Sequence, residues 1–196
     1  MFSYRHGFHA GNHADVLKHM ILLQILNYQS QKPAPYWFID LHAGAGLYDL
    51  SGAWAQKRGE FEQGVGTLWD CTDAPPAVAE YLATIRALNP AGELRVYPGS
   101  PWIALQVCRD TDRLRLFEMH PSEAHILRQN LEQRGSRNAR QVAVYESDGF
   151  AGLKAHVPPP TRRAVVLIDP SYEDKKDYRR VLDTVRDALA RFATGC

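Results

Sequence analysis

The 196-residue chain is 45% hydrophobic and 23% charged, a globular mixture that excludes disorder and coiled coil and suffices for one domain carrying a small insertion. Its 23 Lys and Arg balance 22 Asp and Glu, so any polyanion must be met by local patches rather than by net charge. The polar, His-rich opening and the short apolar run Met20 to Leu26 give no sign of a signal peptide or membrane anchor. Cys71, Cys108 and Cys196 form no CxxC pair, which suits a reduced, cytoplasmic setting.

Asn12, three residues before Asp15, predicts the N-cap of a helix whose apolar stripe is Val16, Leu17, Met20, Leu23 and Ile25. The polar, Pro-containing stretch from Tyr28 to Pro35 stops it. Tyr36 to Ile39 then reads as a strand ending in Asp40 and a turn carrying Gly44 and Gly46. From Leu47 to Pro98 the pattern changes to short helical segments. The clearest runs from Pro75-Pro76 to Asn89-Pro90, with Val78, Tyr81, Leu82, Ile85 and Leu88 on one face. A new helix is expected at Pro98-Gly99-Ser100-Pro101, with Ser100 as N-cap and Pro101 at the first helical position. Leu114 to His120 alternates as a strand, and a helix follows from Pro121 to Arg134, closed by Gly135. Gln141 to Ser147 is another strand, ending at Asp148-Gly149. Ala164 to Ile168 is a fourth, apolar enough to predict burial on both faces, and Val181, Leu182, Val185, Leu189 and Phe192 mark a last amphipathic helix. Strands alternating with helices imply an α/β fold with a parallel-rich sheet, whose ligands lie beyond the strands' carboxyl ends.

Four strands end in chemically loaded turns: Asp40 to Gly46, Glu118, Asp148-Gly149, and Asp169-Pro170-Ser171-Tyr172. A GxG after a strand is by itself often only a tight turn. Glu118 is placed to accept from a ribose, but it lies 72 residues past Gly46, against about 20 in dinucleotide folds. An insertion over 47–98 accounts for the excess. Asp148-Gly149 suits an adenine amino group or a plain turn. Asp169-Pro170-Ser171-Tyr172 is the most informative, because it resembles the (N/D)-P-P-(Y/F) signature of amino-group methyltransferases that use S-adenosylmethionine. Its carboxylate and the Pro170 carbonyl can localise a nucleobase amino lone pair, and Tyr172 can stack on the extruded base.

The match is closer still at Tyr4-Arg5-His6, Phe8 to His19 (FHAGNHADVLKH), Asp40 to Gly46, Tyr97 to Pro101 and Arg191 to Gly195. Over its whole length the chain resembles the RlmJ family, bacterial 23S ribosomal RNA adenine-N6 methyltransferases earlier described as proteins for using external DNA. The resemblance implies a class I, Rossmann-like S-adenosylmethionine-dependent methyltransferase: a methyltransferase domain over 1–46 and 99–196, with an inserted helical subdomain over 47–98. It implies S-adenosylmethionine as cofactor, bound by His19, His42, Ser100, Glu118, Asp148, Gly149 and Asp169, with Asp169 also catalytic. Tyr4, His6, Lys18, Pro170 and Tyr172 fall to the substrate, 23S rRNA. No metal, membrane or obligate protein partner is implied. Ser171 replaces the family's second proline, and the chain stops at Cys196 where family members continue into further strands, so a domain incomplete at its C-terminus is expected.

Five of the eight histidines fall within the first 42 residues, but His6, His9 and His13 lack the spacing of a closed zinc site. Arg5, Lys18 and Lys32 make the opening locally positive. Arg128, Arg134, Arg137 and Arg140 fit a solvated helix face or an RNA backbone, and Trp54 either core or stacking. The residues alone leave an RNA methyltransferase, a DNA adenine methyltransferase and a non-catalytic binding module open.

Overall fold

A computed structural model describes residues 6–52, 59–133 and 141–194. After a 3₁₀ turn at His6–Phe8, helix α1 (His13–Ser30) starts where expected: the Asn12 side chain accepts from the Asp15 amide. Its inner face differs from the predicted stripe. Asp15, His19, Leu22, Leu23 and Leu26 are buried, while Leu17 is 57% exposed. The stripe rested on apolar residues alone, and two polar side chains with buried partners turn the helix away from it.

Strands β1 (Trp37–Asp40), β4 (Arg113–Phe117), β5 (Val142–Tyr145) and β6 (Ala164–Leu167) form a parallel sheet in the order β5-β4-β1-β6. Asp40 lies level with Leu116 on one side and Leu167 on the other. That register brings the turns after β1, β4 and β6 to one edge. Ala164 and Val165 are buried, but Val166, Leu167 and Ile168 are only half-buried, because β6 pairs on one side among the described strands.

The segment 47–98 is not wholly helical. It opens with β2 (Leu47–Asp49) and closes with β3 (Val96–Pro98), an antiparallel ribbon with Leu47 opposite Pro98. Alternation over three residues is too short a signal to read. Between the two strands lie α2 (Glu60–Gln63), α3 (Val65–Leu68) and α4 (Pro76–Arg86). Val65, Tyr81, Leu82, Ile85 and Tyr97 join Leu22, Leu23, Leu26 and the sheet residues Phe38, Leu114 and Leu116 in one apolar core, so the segment shares the core of the rest.

Helix α5 (Ser100–Val107) begins one residue earlier than expected, with Gly99 as N-cap. The Ser100 hydroxyl donates to Asp40 instead of capping the helix. Helix α6 (Pro121–Gln133) is described up to Gln133; its expected end at Arg134-Gly135 lies outside the described residues, as do Tyr4, Arg5, Trp54, Arg137 and Arg140. On the opposite sheet face, α7 (Gly149–Gly152), α8 (Lys176–Arg191) and the residues that follow each pack through Phe150, Leu153, Val181, Ala188 and Phe192 on Ile39, Phe117 and Ala164. Leu182, Val185 and Leu189, predicted to face inward, are exposed beside Tyr178.

Candidate active site

Three of the four strand-end acids are tied to the turns beside them. Asp40 is fully buried; its Oδ1 accepts from the His42 amide at 3.1 Å and its Oδ2 from Ser100 Oγ at 2.6 Å. Burial pushes its carboxyl up to about 6, against the pull of those two bonds. Glu118 accepts from the Gly44 amide at 2.8 Å through Oε2 and from the His120 amide at 2.7 Å through Oε1. It therefore fastens the glycine turn after β1 to β4, a turn in which Gly44 has φ +60°. Asp148 caps α7 through the Phe150 amide and takes Arg180 Nη2 at 2.6 Å on its other oxygen.

The fourth acid, Asp169, meets α1. Lys18 Nζ lies 2.7 Å from Asp169 Oδ2 and 2.7 Å from Asp15 Oδ1. Asp15 Oδ2 in turn accepts from the Gly11 amide at 3.0 Å and lies 2.7 Å from His6 Nε2. Burial works against charge on both partners of the inner pair. His6, His19 and Lys18 nevertheless hold the Asp15 carboxyl well below its usual range, and Asp15 and Asp169 raise Lys18 above its own. His19 is buried beside the Tyr97 hydroxyl, at 2.9 Å, and burial pushes its imidazole down to about 3. His42, edge-on to Phe150, is pushed by burial down to about 4. Its Nδ1 is buried with no hydrogen-bond partner among the described residues.

These residues enclose two cavities. The first, about 270 Å³, is lined by His6, Lys18, His19, His42, Ser100, Glu118 and Asp169, together with Gly44, Tyr48, Met119 and Glu123. The second, about 360 Å³, is lined by His6, His9, Asn12, Asp15, Lys18, Asp169, Pro170 and Ser171. His6, Lys18, Asp169 and Ser171 belong to both and form the shared wall. Of the expected site residues, Asp148 lines a separate groove between α7 and α8, where Arg180 also stacks at 4.3 Å over Phe150. Gly149 backs onto Leu41, whose carbonyl a Cβ would strike. Tyr172 lines neither main cavity: it sits at φ +56° and packs on Tyr178, with centroids 4.7 Å apart. Ser171 Oγ accepts weakly from the Glu173 amide, at 3.4 Å. Tyr4 lies outside the described residues. His6 and His9 bond to Asp15 and Glu60, and among the described residues no group of three or more His, Cys, Asp or Glu is arranged to hold a metal ion.

Sequence reasoning missed Asp15, whose pairing with Lys18 at i, i+3 reads as an ordinary solvated helix pair. It also missed the lining residues Tyr48 and Glu123, for which no spacing signal exists.

A strand-end acid cluster around a glycine turn is shared by many nucleotide-binding folds, so the comparisons with known proteins decide among them. The sequence profile of a family described as ribosomal RNA large subunit methyltransferase D, RlmJ, matches residues 33–196. The chain belongs to the RlmJ family. It is 46% identical over 196 residues to the Haemophilus influenzae protein named ribosomal RNA large subunit methyltransferase J, covering all of this chain and 68% of that one. It is 44% identical over 195 residues to the Escherichia coli K12 protein of the same name, again covering 68% of it. A crystal structure of a Legionella pneumophila protein superposes with a TM-score of 0.85 at 36% identity, over 95% of this chain and 67% of the other. The RlmJ-family chain is accordingly an α/β methyltransferase. Among the described residues no helix is long and apolar enough to cross a membrane.

Proposed function

We propose that the chain transfers a methyl group from S-adenosylmethionine to an adenine N6 in large-subunit ribosomal RNA, with the donor in the first cavity and the acceptor base in the second. The observation that carries the reading is the shared wall. Asp169 and Lys18 stand between the two cavities, where a methyl group must cross from one ligand to the other. The residues of the first cavity fit the donor. Glu118, held through both oxygens by backbone amides, keeps lone pairs for a ribose diol, and His42 Nδ1 is a buried polar atom in want of a partner. His19 and Ser100 line the same cavity, and Asp148-Gly149 would serve the donor's adenine once Arg180 yields Asp148. The donor supplies a methyl group activated on a sulfonium.

On the acceptor side, the chain's task is to make a poor nucleophile competent. The amino lone pair of adenine is delocalised into its ring. Hydrogen bonds from that amino group to the Asp169 carboxylate and the Pro170 carbonyl pull density back onto nitrogen and stabilise the positive charge that develops there. Tyr4, His6 and Lys18 complete the acceptor side in this reading, and Tyr172 would have to leave Tyr178 to stack on the base. The RNA assignment is tested by labelled-methyl transfer to unmodified 23S RNA and to duplex DNA. Transfer to the RNA alone is expected, and transfer to DNA alone would replace the substrate. Donor binding without transfer to either would reduce the chain to a binding module.

A further inference from the structure

We infer that Asp15 is a positioning residue for methyl transfer, acting through Lys18 to set which oxygen of Asp169 faces the acceptor. The inference rests on the functional reading above and deepens it. Asp15 is the fixed point of the site: its side chain is 2% exposed, against 20% for Lys18 and 39% for Asp169. Both its oxygens are committed, Oδ2 to the Gly11 amide and His6, Oδ1 to Lys18. Gly11 has φ +78° and a Cβ there would crowd Val65 and Phe61, so the amide that holds Asp15 is itself locked by packing.

A lysine on a flexible stem has no preferred place for its ammonium. Here the ammonium is stretched between two carboxylates, 2.7 Å from each, and cannot fold back over Asp169 while Asp15 holds it. Among the described residues only Oδ2 of Asp169 receives a hydrogen bond, and it comes from Lys18. Oδ1 is thereby left for the amino group. Asp15 also shares the positive charge of Lys18, so that Asp169 keeps its strength as an acceptor. With Asp15 neutral, the ammonium belongs to Asp169 alone and competes with the substrate for both oxygens.

The test is a double-mutant cycle in single-turnover methyl transfer to 23S RNA, with donor affinity measured by calorimetry. Asp15→Asn is expected to lower the rate roughly 10- to 100-fold, the cost of a small misplacement at a reacting centre, with KM for RNA and donor Kd changed by less than about threefold. In a Lys18→Met background the same substitution is expected to cost less than about twofold. Asp15→Glu, which keeps the charge and displaces it by one methylene, is the second variant should Asp15→Asn fail to fold, and it is expected to show the same coupling. Equal costs with and without Lys18, or an unchanged rate in Asp15→Asn, would overturn the role of Asp15 alone. Full transfer by Asp169→Asn would overturn the functional reading and the positioning role with it.

Discussion

His42, in the wall of the first cavity, carries a pH signature. Burial holds its imidazole neutral down to about 4, whereas in an unfolded chain it protonates near its ordinary value of 6.5. Between those values the unfolded state binds the extra proton, so stability is fully present above pH 6.5 and is lost as pH falls, by roughly 3 kcal/mol at pH 4. Asp40 works in the opposite direction: its carboxyl, raised to about 6, makes the folded state bind the proton and lets stability fall as pH rises toward 6. Melting of wild type and His42→Gln should therefore converge as pH falls from 7 to 4, and a constant gap between the two would show that the fold does not lower the His42 imidazole. Asp169→Asn is expected to lower transfer more than tenfold, about 1.4 kcal/mol of barrier, because the amide brings no negative charge to the developing cation and offers one acceptor oxygen for two. Donor affinity should change by no more than a few fold, and a retained rate would remove Asp169 from the chemistry. Asp169, Glu118 and Asp40 were legible in the sequence because each directly follows the apolar or alternating pattern of a strand. Asp15 was not, because burial is a property of the packed helix and leaves no mark on an i, i+3 charge pair.

At the scale of elements, the segment between β2 and β3 reaches into the site by clamping the loop before α1. Val65 donates its amide to the Gly11 carbonyl at 2.8 Å, and Glu60 Oε2 takes His9 Nδ1 at 2.8 Å and Asn12 Nδ2 at 3.1 Å. Asn12 caps the helix that carries Asp15 and Lys18, so the clamp bears on the wall between the cavities. At Gly64 the two backbones lie so close that a Cβ would fall on the Gly11 carbonyl and Asn12. Gly64→Ala is expected to cost about 1–3 kcal/mol, with Tm falling roughly 2–4 °C for each kcal/mol, and to lower transfer beyond the loss of folded protein. Unchanged melting would mean that α2 and α3 do not hold the loop. The edges of this segment were visible as a change of pattern at Leu47 and Pro98. The ribbon that joins them was not, since its pairing depends on residues far apart in the chain, as Leu47 is from Pro98.

Across the whole molecule, the surface of α8 stands out: Tyr178 and Leu182 are 61% and 53% exposed, and Val185 and Leu189 continue the stripe. β6, at the sheet boundary among the described strands, adds a strand edge that is unpaired among them. The 196-residue chain is expected to self-associate with rising concentration. Leu182→Glu with Leu189→Glu should shift it toward monomer in light scattering with little change in Tm, whereas a monomer at all concentrations would show the strip to be innocuous. The wall shared by the two cavities has a different kind of consequence. If donor and acceptor occupy the two cavities as proposed, whatever the donor does to fix Lys18 and Asp169 is work the acceptor need not repeat, and the reverse holds equally. The factor by which bound donor tightens RNA must then equal the factor by which bound RNA tightens donor, whichever ligand arrives first. A cofactor left behind after transfer, lacking the methyl group but still holding that wall, would tighten the enzyme's grip on RNA in the same way, so that release of the modified strand and of the spent cofactor are linked events.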